Sequence, residues 1–383
     1  MMRCPRCGNE DPSWFYLGSK GWYCRRCVGF SRMLICEATE PVLPELSEPL
    51  DPQLRLDYPL TPNQRQISDQ LCELSETHDV LVDAVCGAGK TEIVMDCLRR
   101  RLQRGQRAAI AVARRQVVLE LARRLADAFP NLSVIPVCQP YTKRPEADLI
   151  VCTTHQLYRY PHRFDLLILD EPDAFPYKGD PVLHGIARTS CRGKIVYTTA
   201  TPDAELRAQV KAGTLMQLKL NRRPHGHALT VPRVLIGPQF LLILRLYRWL
   251  KTKQKEDKQA LIFVPTIRGC HRLKVLFSLE FSCGELTSQS LDQDETLRKL
   301  RTKELQFCFA TTVLERGVTI AGVDVCVMDA DHGVFDEASL TQMIGRVGRS
   351  FACPDGDGLF LCRKRSQQVA RCVKRLEEAN ASG

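Results

Sequence analysis

The residues readiest to do chemistry stand at 84–92, AVCGAGKTE, which begins on the last two residues of the strand-like run VLVDAV and runs into a helix-like stretch. Small residues Ala84, Gly87, Ala88 and Gly89 let backbone N–H groups approach an anion closely, and the N-terminus of the following helix adds the favourable end of its dipole. Lys90 and Thr91 complete a phosphate-binding loop. The ammonium can reach the β- and γ-phosphates of a nucleoside triphosphate, and the Thr91 hydroxyl can ligate magnesium. Ala84 stands where such loops usually begin with glycine, while Gly87, Gly89, Lys90 and Thr91 are in place. An ordinary glycine turn would need neither the strand before it nor the Lys-Thr pair after it.

Downstream, LLILDEPDAF ends an apolar strand with Asp170 and Glu171, which places two carboxylates at the C-terminal edge of a sheet, where ligands of open α/β sheets gather. Asp170 suits the magnesium ion, and Glu171 can polarise an attacking water. Later still, QMIGRVGRS sets Arg346 and Arg349 three residues apart beside Gly345 and Gly348, with Gln342 at its start. A planar guanidinium can make bidentate contact with a γ-phosphate and stabilise the charge of phosphoryl transfer. A nucleotide gripped by both groups would join two parts of the chain, and hydrolysis would release them.

The N-terminus offers different chemistry. Cys4, Cys7, Cys24 and Cys27 form two Cys-x-x-Cys pairs with sixteen residues between them, the spacing of a tetrahedral zinc site. A redox pair would be expected within a βαβ context, which is missing here. So short a segment cannot bury a stable core unaided, and metal would supply the folding energy. Cys36 is a nearby spare thiol that could substitute as a ligand. Trp14, Phe15, Tyr16, Trp22 and Tyr23 lie between the pairs among Lys20, Arg25 and Arg26. Part of this set must pack as the module's own core, and part can stack on unpaired bases or meet a protein partner.

These groups need elements to position them. Residues 1–35 carry six Lys or Arg against two acids, whereas 36–58 carry six acids against one Arg and include Pro41, Pro44, Pro49 and Pro52, which marks a linker. From there VLVDAV, AAIAV, DLIVC, DLLILD and KIVYTT alternate with amphipathic stretches such as 90–103 and 114–128, the rhythm of a parallel sheet with crossover helices. After NRRPHGHALTVPRV the rhythm restarts with QALIFV, LQFCFA, DVCVMDA and GLFLC, with helix-like stretches near 268–281, 292–303 and 336–346. The expected organisation is a four-cysteine module at 1–35, an acidic linker at 36–58, an α/β domain at 59–222, a bridge at 223–237 and a second α/β domain at 238–383. The chain is 44% hydrophobic with a formal charge of +10, compatible with a polyanionic partner without requiring one. No apolar run approaches the roughly 20 residues of a membrane helix and no signal pattern opens the chain, so the expected location is cytoplasmic. Most of the eighteen cysteines lie in apolar runs and read as buried, reduced thiols.

Taken in order, these stretches resemble a superfamily-2 helicase over essentially all of 60–383. LTPNQRQ is similar to the adenine-reading segment, with Gln64 as its glutamine; AVCGAGKTE resembles motif I, LDEPDAF motif II and TTATP motif III. LIFVPTI, ATTVLERGVTI and QMIGRVGRS resemble motifs IV, V and VI. The wording of AVCGAGKTE, TTHQLYR and TTVLERGVTI, together with the four-cysteine element, is similar to the ComFA family of competence-associated DNA translocases. Pro172 within motif II and Ala113 in AVARRQVVLEL depart from the usual pattern without removing a charged group.

The resemblance implies two tandem RecA-like domains with a zinc ribbon, and an ATPase with ATP, magnesium and zinc as cofactors that helps draw single-stranded DNA inward during natural transformation. It implies Gln64 and Gln342 beside the nucleotide, Arg114, Arg115, Thr153, Thr154, Thr311 and Thr312 on the DNA backbone, and Thr199 and Thr201 coupling nucleotide state to domain closure by bonding the Asp-Glu box. Phosphate contacts grip without reading sequence, as a motor on arbitrary DNA requires. Implied partners are ComFC, DprA and the membrane uptake channel, through which the chain would reach the inner face of the membrane; an oligomer is left open. The alternative is a replication-restart helicase of the PriA type, but PriA carries its zinc cysteines inside the second helicase domain, whereas here they precede the first.

Overall fold

The computed structural model describes residues 2–31, 33–35, 48–143, 146–290, 292–314 and 320–382. It divides into two compact units, Met1–Ala84 with Gly89–Leu220 and Val85–Ala88 with Asn221–Gly383.

The first unit is built on seven parallel strands. These are β3 (Val80–Ala84), β4 (Ala108–Val112), β5 (Val134–Val137), β6 (Leu149–Thr153), β7 (Phe164–Asp170), β8 (Cys191–Thr199) and β9 (Met216–Leu220), in the order β5-β6-β4-β7-β8-β3-β9. The inner strands are continuous apolar runs because helices cover both faces of a parallel sheet, and all five residues of β4 are buried. The edge strands, β5 with only four residues and a proline, VIPV, and β9 with its apolar residues interrupted, MQLKL, were not marked by the sequence rhythm. Helix α1 (Pro62–Leu74) starts on a capping box in which Thr61 and Gln64 satisfy each other's backbone N–H groups, with Pro62 in the first turn. Helices α2 (Lys90–Gln103), α3 (Arg115–Ala128), α4 (Pro181–Ser190) and α5 (Ala204–Lys211) supply the remaining cover.

The four-cysteine segment forms a hairpin of β1 (Phe15–Gly18) and β2 (Gly21–Cys24). It does not hang from a tether. Its cysteines and Phe15 join one apolar cluster with Leu157, Leu183 and Ile186. Phe30 packs on His155 and Tyr158, at ring centroid distances of 5.9 and 5.4 Å. Gly185 of α4 approaches the Cys7 carbonyl so closely that a methyl group would overlap it. Of the proposed linker, 36–47 and with it Cys36 lie outside the described residues. The rest is strapped to the first unit: the Leu50 N–H donates to Leu102 O at 3.1 Å, and the Arg55 N–H donates to Ala128 O at 2.8 Å.

The second unit carries six parallel strands. These are β10 (Arg233–Ile236), β11 (Gln259–Phe263), β12 (Cys283–Leu286), β13 (Phe307–Ala310), β14 (Val323–Met328) and β15 (Gly358–Cys362), in the order β10-β15-β14-β11-β13-β12. Helices α6 (Gln239–Lys255), α7 (Ile267–Phe277), α8 (Gln293–Arg301), α9 (Glu337–Ile344) and α10 (Gln367–Ala381) pack around it. Part of the expected bridge is therefore sheet, because β10 pairs with β15 in register Arg233 to Leu359. All described cysteines are unbonded and most are buried.

Candidate nucleotide and zinc sites

The phosphate loop follows β3 and enters α2. Gly87 and Gly89 adopt φ +82° and +81°, the left-handed region that glycine enters without a Cβ penalty. At Gly89 a methyl group would also overlap the Gln64 side-chain amide, so the backbone there has no room to be anything else. Gln64 is buried beside the loop, and its side-chain carbonyl accepts from Thr61 N–H at 3.0 Å. Lys90 Nζ stands 4.0 Å from Asp170 Oδ1 and 3.9 Å from Glu171 Oε1. Two glycines at positive φ, an ammonium and two carboxylates around one point fit a magnesium triphosphate. Burial pushes the Asp170 carboxyl above the usual range; Lys90 opposes that, and the neighbouring Glu171 charge adds to it.

Glu171 sits at φ +53°, a left-handed conformation costing about 1–2 kcal/mol outside glycine. Its N–H donates to Thr198 O at 2.8 Å, which holds it there. The threonines of TTATP bond the Asp-Glu box LDEPDAF across adjacent strands, dividing between two of its carboxylates. Thr198, opposite Asp170 in the β7–β8 register, donates its hydroxyl to Asp170 Oδ1 at 2.6 Å. Thr199 and Thr201 both donate to Asp173, the second aspartate of the box, with Thr201 at 2.6 Å from Oδ2. The reason is spacing: β8 ends just as β7 does, so only Thr198 can reach Asp170, and the next two hydroxyls meet the carboxylate three residues on. Thr198 and Asp173 were the functional neighbours missed in sequence; strand register was the signal that could have found Thr198.

In the second unit Gln342 and Arg346 are buried, Arg349 is exposed, and the Gln342 side-chain nitrogen has no hydrogen-bond partner among the described residues. The turn they occupy is held by Arg223, which reading it as part of a bridge did not foresee. Its guanidinium, 2% exposed, donates to Val347 O at 2.6 Å, Gly348 O at 2.7 Å and Gly345 O at 3.0 Å. Burial pulls its pKa down to about 10, which leaves it charged at neutral pH.

The proposed DNA contacts separate. Arg114 caps α3 and Arg115 begins it, exposed; Thr153 ends β6 with partial exposure. Thr154 is 2% exposed, and its buried hydroxyl has no hydrogen-bond partner among the described residues, so that hydroxyl is turned away from the surface. In the second unit Thr311 is buried and Thr312 half-buried at the end of β13, while 315–319 lie outside the described residues.

Cys4, Cys7, Cys24 and Cys27 bring all four sulfurs within 4.8 Å of one another, every one buried. Cys4 and Cys27 sulfurs are 3.6 Å apart, and those of Cys7 and Cys24 are 3.9 Å apart. Tetrahedral zinc with bonds of about 2.3 Å sets neighbouring sulfurs about 3.8 Å apart, so the cage fits that ion. Without a cation the crowded thiols cannot ionise together: hydrogen bonds from Cys27 and Cys7 hold Cys4 low, while the Cys27 thiol is pushed up.

Two parallel-sheet domains, a phosphate loop facing an Asp-Glu pair and an arginine-bearing turn define an ATP-dependent helicase of superfamily 2. Residues 61–208 match the DEAD/DEAH box helicase family model, and 240–351 match the helicase conserved C-terminal domain. The fold resembles that of Mss116p bound to ssRNA and AMP-PNP, with a TM-score of 0.66 at 19% identity over 85% of this chain and 73% of that one. Competence protein ComFA of Streptococcus pneumoniae (strain ATCC BAA-255 / R6) is 33% identical over 98% of this chain and 90% of its own length. That of Bacillus subtilis (strain 168) is 31% identical over 99% of this chain and 85% of its own length. The chain belongs to the ComFA family of competence proteins. No helix among the described residues is long and apolar enough to cross a membrane.

Proposed function

We propose that this chain is an ATP-driven translocase on single-stranded DNA that helps draw transforming DNA into the cytoplasm during natural competence. The observation that carries the reading is the approach of Lys90 to Asp170 and Glu171 behind a phosphate loop, in a chain of the ComFA family. Bound ATP and magnesium supply the phosphoanhydride and the divalent charge that neutralises it. Lys90, spanning two carboxylates without closing on either, is placed to transfer its charge to a phosphate. Asp170, fixed by Thr198, holds the metal side, and Glu171, fixed by its strained backbone, orients the attacking water. Gln64 and Gln342 flank the nucleotide, and Arg346 and Arg349 stabilise transferring charge from a turn that Arg223 keeps in shape. Thr199 and Thr201 act through Asp173, coupling the end of β8 to the loop after β7.

Arg114, Arg115, Thr153, Thr311 and Thr312 grip the strand by its phosphates. Zinc on Cys4, Cys7, Cys24 and Cys27 locks the N-terminal module. By resemblance, its partners are ComFC, DprA and the membrane channel, met at the inner face of the membrane. The test is steady-state ATPase with no nucleic acid, single-stranded DNA, duplex and RNA. Single-stranded DNA should stimulate strongly, and Lys90→Ala or Glu171→Gln should abolish the stimulated rate. Equal turnover in all four conditions sinks the translocase reading.

A further inference from the structure

A cavity of about 690 Å³ opens where the zinc module meets the first unit, within the size range of pockets that hold small organic ligands. Phe30 reaches it from the module. From the first unit come Arg115 at the start of α3, Thr153 at the end of β6, and His155 and Tyr158 from the 3₁₀ segment Thr154–Arg159. Its chemistry is specific in two ways. Among the described residues no carboxylate lines it, while Arg115 does, and Arg6 and Arg159 lie over the Tyr158 ring at 5.8 and 5.3 Å. Three aromatic rings also converge there, each only partly buried, so ring surface remains available to a guest. Cationic and hydroxyl groups beside aromatic rings in one lining match a nucleotide: the phosphate on the polar groups, the base on the rings.

We propose that this cavity takes one unpaired base of the DNA strand, stacked against the Phe30, His155 and Tyr158 cluster while Arg115 and Thr153 hold the adjoining phosphate. The zinc module is thereby a wall of the DNA path, and Phe30, beyond the second Cys-x-x-Cys pair, does what the sequence suggested for the aromatics between the pairs. Those aromatics lie elsewhere. Phe15 is buried, and Trp14 just before the hairpin and Tyr16 and Trp22 on it are 43%, 52% and 42% exposed, outside the cavity lining. The proposal rests on the single-stranded DNA reading above and adds base contact to it.

The test compares binding of the full chain, at one fixed salt concentration, to a thymidine homopolymer and to an abasic homopolymer of equal length. Phe30→Leu keeps apolar bulk and removes the π-face. It should weaken binding to the thymidine strand by roughly five- to hundredfold, the range of one lost stack, and leave binding to the abasic strand unchanged. Arg115→Gln should weaken both. A Phe30→Leu effect equal on the two strands, or on neither, overturns the proposal. As a check that needs no variant, a strand carrying 5-iodo-deoxyuridine should photo-crosslink wild-type protein at Phe30, His155 or Tyr158, and adducts confined to other peptides overturn it. If single-stranded DNA stimulates ATPase but these differences are missing, only the base pocket fails; if DNA neither binds nor stimulates, the parent reading fails and takes the pocket with it.

Discussion

Replacing Gly185 by alanine should destabilise the protein, although within an ordinary helix the same change is worth about 1 kcal/mol in the other direction. Gly185 lies in the middle of α4, and a methyl group there overlaps the Cys7 carbonyl. That carbonyl is backbone of a zinc knuckle, not the end of a flexible side chain, so the module as a whole must lift. Lifting forfeits Phe30 on His155 and on Tyr158, about 0.5–1.5 kcal/mol for each ring pair, and Arg6 over Tyr158, about 0.5–1 kcal/mol. Set against the helix gain, the net loss is about 0.5–3 kcal/mol. At about 2–4 °C per kcal/mol for a unit of this size, the Tm of the first unit should fall by about 1–12 °C. Zinc content should stay at the wild-type value, because the four ligands move together, while trypsin should cut faster between the module and the first unit. A Tm raised by about 2–4 °C, the result that helix propensity alone gives, would refute the docking contact.

Thr198→Val keeps the strand-favouring shape and removes the donor to Asp170; with about 1.5–3 kcal/mol in a hydrogen bond to a charged group, the stimulated kcat should drop roughly tenfold to hundredfold and the magnesium requirement should rise. An unchanged magnesium titration would detach Thr198 from the site. Arg223→Met should cost about 2–4 kcal/mol, since buried carbonyls of the Gly345–Gly348 turn lose their donor while one desolvated charge is relieved. Arg223→Lys should restore only part of both stability and ATPase, because a single ammonium cannot span the same carbonyls, and full rescue by lysine would argue that charge alone matters. The second unit should lose stability in acid. Burial works to raise Asp357, but the Trp249 indole N–H at 2.7 Å and the Lys253 and Arg233 charges outweigh it and hold its carboxyl below the ordinary value. The stabilisation is therefore complete above the unfolded pKa of about 3.9 and disappears as pH falls through the lower folded value. Trp249→Phe should shrink that acid-dependent portion in denaturant titrations, and an identical pH profile would remove Asp357 as its source.

What was legible in the sequence follows from which interactions are local. Runs such as AAIAV and DLLILD declare buried parallel strands because both faces of the sheet are covered, and the helix expected at 90–103 begins and ends where it was placed. Lys90, Asp170 and Glu171 were findable because each ends or follows a strand of one sheet, and a parallel sheet delivers all its C-terminal ends to one edge. The partners of the motif III hydroxyls were not. They depend on the β7–β8 register, which contains a shift between Phe164 and Leu166, and a slip of one residue would have aimed a different hydroxyl at Asp170. Arg223 escaped for a related reason: its acceptors are backbone carbonyls more than a hundred residues away, and carbonyls leave no trace in a sequence. The docking of the zinc module is the extreme case. Gly185 reads as a weak point in a helix, and only the arrival of Cys7 shows that the missing side chain is the contact. A glycine that lowers helix propensity at a tertiary crossing thus carries more information about where the four-cysteine module docks than the aromatic residues between its cysteine pairs, because it is the point at which the Cys7 backbone meets α4.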